Sequence, residues 1–567
     1  MKRLSNWGLI LSLLLIMISC QDNEMYADMI IHNGKIQTVD ENNTIVQAIA
    51  VKDGRIIATG TDDEILQYQS NQKIDADQKF VMPGFIEGHG HFSSVGYTQI
   101  NLNLMNTMSW DEIVSMVEEK VKSAKPGEWI EGRGWHQEKW TESPGETTNG
   151  YPYHKKLSEV SPDNPVILTH ASGHGLFANE KAMDASGVSV ETPDPTGGRV
   201  VRNDRGEAIG VFEERAMSII RQRHQAYLEG LSQEELTATW YNAIDKAQEE
   251  CLSKGVTSFQ DAGSSYVECK RYEGLATEGK LDMRLWVMIR QTAENLKGKV
   301  ADYRQVNMGD HFYTCRALKT SVDGALGSYG AWLLKSYDDK SDFVGQNTTD
   351  IEEIKKISAI ADANDMQYCV HAIGDRANRE VLDIFEQYVN PEKNMRWRIE
   401  HAQHIHPDDI PRFAELGVIP AMQGIHCTSD APFVVKRLGQ QRAREGAYAW
   451  RSLMDAGSII ANGTDAPVED VDPIPSLYAS VTRKRADNKM IFFPMQKMSR
   501  IEAIRSYTIN NAYAAFEEDY KGSLEKGKVA DIVILSEDLM TCSDDAILDT
   551  EILYTIVDGK IKYQKAI

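Results

Sequence analysis

The chain has 567 residues, 42% hydrophobic and 26% charged, with a formal net charge of -23. That length is too great for one small core and suits a large barrel with a smaller second domain. The acidic balance argues against a nucleic-acid partner, which needs a basic surface, and reads as a solvated acidic face.

Lys2 and Arg3 precede an apolar run from about Leu9 to Ile18, and Ser19-Cys20 follow. The run is too short to span a bilayer comfortably and has the shape of an export signal. Its ending, Met17-Ile18-Ser19-Cys20, resembles a bacterial lipobox. The resemblance implies a signal peptide over 1–20, cleavage before Cys20, lipid on Cys20 and a tether over 21–27. An exported domain would then be held at the membrane surface of a bacterial envelope. The remaining cysteines, Cys251, Cys269, Cys315, Cys369, Cys427 and Cys542, are sparse and lack CxxC spacing. They form neither a disulfide framework nor a zinc finger and read as small buried residues, with an isolated disulfide left open.

Next come short strands with tight turns at Asn33-Gly34 and Asp53-Gly54, dipeptides that tolerate the positive φ of hairpins. The C-terminus repeats this grammar, with an apolar strand at 530–535 and a turn at Asp558-Gly559. The two ends, 28–82 and 508–567, are expected to form one composite β-sandwich that encloses residues 83–507. Within that middle, eight candidate strands fall at 81–88, 256–261, 284–288, 317–322, 367–371, 397–401, 418–422 and 459–465. Helical segments such as 376–388 and 408–416 lie between them. Eight strand–helix units predict a closed parallel (β/α) barrel, an α/β fold. Residues 102–250 are too long for one connection and are expected to form an insertion beside the barrel mouth.

The chemistry gathers at the predicted strand ends. His89 and His91 close the first strand, and alternation along a strand aims residues i and i+2 the same way. His371 ends the fifth strand, His401 the sixth and Asp465 the eighth. Barrel active sites sit at C-terminal strand ends. A histidine pair, two single histidines and an aspartate in one structural phase predict a metal centre. Lys319, on the fourth strand, can ligate only as neutral amine or as a carbamate formed with carbon dioxide; pairing with Asp323 is the alternative.

These residues resemble the amidohydrolase superfamily and, within it, amidohydrolase family 3, which includes enzymes resembling N-substituted formamide deformylase. The marks run in order: PGFIEGHGH at 83–91, WIEGRGW at 129–135, ASGHGLFAN at 171–179, GVTSFQDAG at 255–263, LKTSVDGALGS at 318–328, HAIGDRAN at 371–378, RIEHAQ at 398–403 and NGTDAPVEDVDP at 462–473. The resemblance implies metal ligation by His89, His91, Lys319, His371, His401 and Asp465, and it favours the carbamate on Lys319. It departs from the family at Glu87, where Asp is commoner, and at Thr464, where Ser is commoner. It also implies a barrel with a composite β-sandwich, and one or two divalent ions, zinc by ligand type. Asp465 would serve as ligand and acid/base in hydrolysis of a non-peptide C–N bond, amide or formamide-like, of a small molecule.

His174 in the insertion and His426 after the seventh strand are candidate substrate contacts. His404 and His406, in a polar segment opening a helix, read as exposed or capping neighbours. Trp129, Trp135 and Trp140 read as aromatic core of the insertion, with a pocket wall as the alternative, and Arg199 is a weak anion-binding candidate. Two rival functions stand beside it: a deaminase or another amidohydrolase reaction at the same centre, and a non-catalytic lipoprotein that captures small molecules or metal, which would not require Asp465.

Overall fold

A computed structural model describes residues 25–566, except 106, 138–139, 171–174, 196–197 and 389–392. The export signal, Cys20 and His174 lie outside the described residues. Among the described residues no helix is long and apolar enough to cross a membrane.

The barrel strands are Phe85–Gly90, Val256–Ser264, Arg284–Ile289, Tyr313–Ser321, Gln367–Ala372, Arg398–His401, Ile419–Gln423 and Ala461–Gly463, each beside the next. Their pairings are parallel throughout, as crossover helices require. Near-continuous apolar composition, as in Arg284–Ile289, follows from burial on both strand faces.

The first strand differs from its predicted span of 81–88. Phe80–Pro83 pairs antiparallel with Ile532–Leu535 in the sandwich, whereas Phe85–Gly90 enters the barrel. Gly84 is the pivot between the two domains: its N–H bonds Asp531 O at 2.9 Å, and a Cβ there would overlap the Thr257 side chain. The apolar run reads as one strand because both halves are buried.

The sandwich joins a four-stranded sheet over residues 29–75 to a six-stranded sheet built from both termini. Ile31, Ile36, Val51, Val81, Ile532 and Ile556 share its core. Asp53-Gly54 and Asp558-Gly559 form the expected two-residue hairpins, with φ of 49° and 71°, then 53° and 68°. Asn33-Gly34 is not a hairpin. Its positive φ of 55° at Asn33 passes the chain from Met29–His32 in one sheet to Lys35–Gln37 in the other.

The insertion folds around its own sheet, including Leu102–Asn103, Ile130–Trp135, Val166–His170 and Gly175–Ala178. Trp110, Trp135 and Phe177 pack as its aromatic core, and Trp135 Nε1 donates to Leu168 O at 2.8 Å. The helix Gln233–Ser253 then returns to the barrel. A Ser232/Glu235 capping box starts it, satisfying two otherwise orphaned N–H groups. It packs so closely on Phe92–Ile100 that a Cβ on Gly96 would overlap the Ala243 backbone.

The seam between the first and last barrel strands is closed at three heights. Near the mouth, Asp465 N donates to His89 O at 2.8 Å and His91 N to Ala466 O at 2.7 Å. In the middle, Glu87 accepts from Thr464 N, Thr464 Oγ1 and His89 N at 2.7, 2.9 and 3.1 Å. The two departures from the family pattern are therefore partners in one clasp. At the floor, Asn511, from the helix Ile509–Ala514, bonds backbone groups of both strands.

Candidate metal centre

Strand alternation puts Glu87, His89 and His91 in one phase. Glu87 anchors the seam, His89 is buried and His91 opens the helix Phe92–Ile100. His89 Nε2 and His91 Nε2 stand 3.6 and 3.3 Å from Asp465 Oδ1. The rings of His89 and His371 lie 4.7 and 4.4 Å from that of His401. One donor atom each from His89, His401 and Asp465 falls within 4.8 Å of the others. His401 and Asp465 hold left-handed backbone, φ 73° and 59°. Such conformations cost energy in non-glycine residues and cluster where side chains must be aimed.

The outer hydrogen bonds settle which atoms face inward. His89 Nδ1 contacts the Glu400 carboxylate, an acceptor, so Nδ1 carries the proton and Nε2 offers its lone pair. His401 Nδ1 faces Gln423 Oε1 at 2.7 Å to the same effect. Buried His89 Nε2, His371 Nε2 and Asp465 Oδ1 make no hydrogen bond. Buried polar atoms are ordinarily partnered, so this convergence of orphaned donors fits a cation.

Electrostatics favours the ligating forms. Burial pushes His371 and His401 well below the usual imidazole range and takes His89 down to about 4, keeping all three neutral. Burial acts to raise Asp465, but His91 beside it holds it well below the usual carboxylate range. Burial also lowers Lys319, with Glu400 and Asp465 opposing, which moves it toward the neutral amine. Asp323 does not pair with Lys319. It accepts from Trp332, Ile373 and Gly374 N–H at 2.9, 2.9 and 2.8 Å, and lies 3.6 Å from His371 Nε2.

His426 stands beside the centre, its ring 6.2 Å from that of His401 and stacked on it. Its Nδ1 faces Gln403 Nε2 at 3.2 Å and its buried Nε2 makes no hydrogen bond. Arg199 is committed to Glu213, Nε to Oε2 at 2.8 Å. Insertion residues Leu102, Met105, Glu131 and Arg133 share a cavity of about 380 Å³ with 466–471, the loop after Asp465. Glu400, Arg398 and Gln423 are the contributors that sequence reasoning missed; only the position of Glu400 beside His401 could have hinted at them.

His404 corrects an expectation. His406 caps the turn at Pro407–Asp409, accepting from Asp408 N at 3.3 Å. His404 is instead 2% exposed, edge-on to Tyr448, with neither ring nitrogen hydrogen-bonded. Burial, with Arg442 nearby, pushes it down to about 3 from an ordinary 6.5. Between those values the unfolded chain binds a proton that the folded one refuses, so stability falls as pH falls. His404→Met, which sacrifices no hydrogen bond, should gain on wild type by on the order of 3 kcal/mol between pH 7 and pH 4. Urea unfolding at both pH values measures this; a pH-independent difference contradicts it.

Residues 72–563 match the model of the amidohydrolase family. The chain belongs to the amidohydrolase family. This amidohydrolase is 30% identical to the putative amidohydrolase YtcJ of Bacillus subtilis, over 94% of this chain and 99% of that one. It is 26% identical to the N-substituted formamide deformylase of Arthrobacter pascens, over 95% and 98%. Among solved structures, an uncharacterised metal-dependent hydrolase from Pyrococcus horikoshii OT3 superposes with a TM-score of 0.73 at 25% identity, covering 91% of this chain and 99% of that one. Family and site agree on a metal-dependent hydrolase built on a TIM-like barrel.

Proposed function

We propose that this amidohydrolase cleaves a non-peptide C–N bond, an amide or formamide, in a small molecule, with zinc as its divalent cation. The observation that carries the reading is the orphaned set His89 Nε2, His371 Nε2 and Asp465 Oδ1 at one rim of the barrel. Kinship with an N-substituted formamide deformylase supports the substrate class. Neutral imidazoles and a carboxylate are zinc's usual company. His89, His91, His371, His401 and Asp465 would hold the cation, and Lys319 as carbamate would supply a bidentate anion able to serve two ions. A divalent cation held there contributes Lewis acidity toward a carbonyl and toward water.

The chain's own residues do the rest. Asp465 is ionised and its carboxylate faces the cation site, so it takes a proton from the attacking water and returns it to the leaving nitrogen. With Gln403 Nε2 donating to Nδ1, His426 carries its proton on Nε2 and offers a hydrogen bond from there to the substrate carbonyl oxygen, with no proton transferred. His174, from the insertion, is the second substrate contact in this reading.

Purified protein tested on N-substituted formamides and simple amides should release formate or carboxylate together with amine. Chelation should abolish the activity and zinc restore it. Ammonia release from amino-heterocycles alone would reassign the centre to deamination, and tight ligand capture without turnover would leave a binding protein.

A further inference from the structure

The Glu400 carboxylate that meets His89 belongs to an ion pair whose other member, Arg398, the chemistry above does not use. Arg398 and Glu400 are both fully buried, two residues apart on the sixth strand. Arg398 Nε lies 2.7 Å from Glu400 Oε1, and its Nη2 donates to Glu400 Oε2 at 3.0 Å. The same Nη2 donates to Gly88 O at 2.7 Å, and Nη1 donates to Gln260 Oε1. Gln260 is fixed in turn, its Nε2 donating to Asn511 O at 2.8 Å. The guanidinium thus ties the sixth strand to the first and second across the barrel. On its far side Glu400 contacts His89 Nδ1.

We infer that Arg398 and Glu400 are positioning residues that act through His89, locking its tautomer and ring orientation so that Nε2 addresses the cation. A buried ion pair contributes little net stability, because desolvation offsets the Coulombic gain. What the pair supplies is direction. A carboxylate on Nδ1 fixes the proton there and raises the basicity of Nε2, and the Arg398 Nη2 hydrogen bond to Oε2, the same oxygen that meets His89, with the guanidinium charge beside Oε1, holds the carboxylate in place. Arg398 also holds Gly88 O, the carbonyl immediately before His89, so backbone and side chain of the ligand are registered by one group.

This inference rests on the metal reading above, and its test separates the two. Glu400→Gln preserves shape and removes the charge. Zinc affinity, measured by competition with a chromogenic chelator, should fall about 10–100-fold in the folded variant. In a His89→Ala background, titrated to zinc concentrations high enough to fill the weakened site that dialysis empties, the same substitution should have no further effect, because the residue it acts through is gone. A merely structural role would weaken both backgrounds equally. Arg398→Lys, which keeps the charge but cannot reach Glu400, Gln260 and Gly88 together, should also weaken zinc binding and serves as the test if Glu400→Gln does not fold. Wild-type zinc affinity in a folded variant, or equal loss in both backgrounds, overturns this inference alone. A wild-type protein without zinc affinity overturns the metal reading with it.

Discussion

Asp465→Asn should lower kcat by about 10²–10⁴-fold while leaving the fold intact, the range expected when a positioned acid/base is removed. Asparagine has the same shape and tolerates the left-handed backbone that Asp465 holds at φ 59°. The seam bond from the residue 465 N–H to His89 O is untouched, because it is a backbone bond. An amide oxygen keeps some capacity to ligate, so much of the metal should remain. What is lost is a group that can carry a proton. Turnover of the best amide substrate, measured beside metal content and far-UV circular dichroism, tests this. Near-native kcat with bound metal would contradict the acid/base role of Asp465.

Asn511→Ala should destabilise the protein by roughly 3–5 kcal/mol, since each buried polar group left without a partner costs about 1–3 kcal/mol. Asn511 is fully buried at the barrel floor. Its Nδ2 donates to Ile86 O and Asn462 O at 2.6 and 2.7 Å, and its Oδ1 accepts from Asn462 N at 3.1 Å. Ile86 belongs to the first barrel strand and Asn462 to the last, so one side chain stands in for the ladder at the seam. Alanine removes both donors and the acceptor. Urea unfolding followed by tryptophan fluorescence reads the loss, and a change below about 1 kcal/mol would show that the seam does not depend on Asn511.

The metal-facing residues were legible because chemistry and strand geometry coincide in them. His89 and His91 share a face by alternation, and His371, His401 and Asp465 each end a predicted strand, which is where a barrel places its mouth. The split at Gly84 was not legible. Phe80 to Gly90 is buried throughout, and a change of sheet leaves no trace in hydrophobicity when both sheets cover both strand faces. Asn33-Gly34 misled for a related reason: positive φ marks a turn without saying which sheet the chain turns into. Arg398 and Glu400 stand inside the RIEHAQ mark without a role, because their significance lies in tertiary contacts with Gly88, Gln260 and His89. His404 sat in a polar stretch whose composition suggests solvent, yet the fold closes Tyr448 over it.

The most direct test is the zinc content of wild type, His89→Ala and His401→Ala after zinc loading and exhaustive dialysis. Convergence of these side chains on one cation requires wild type to retain stoichiometric metal and each folded variant to lose it. A wild-type protein that emerges metal-free, or variants that hold as much zinc as their parent, would contradict the central claim.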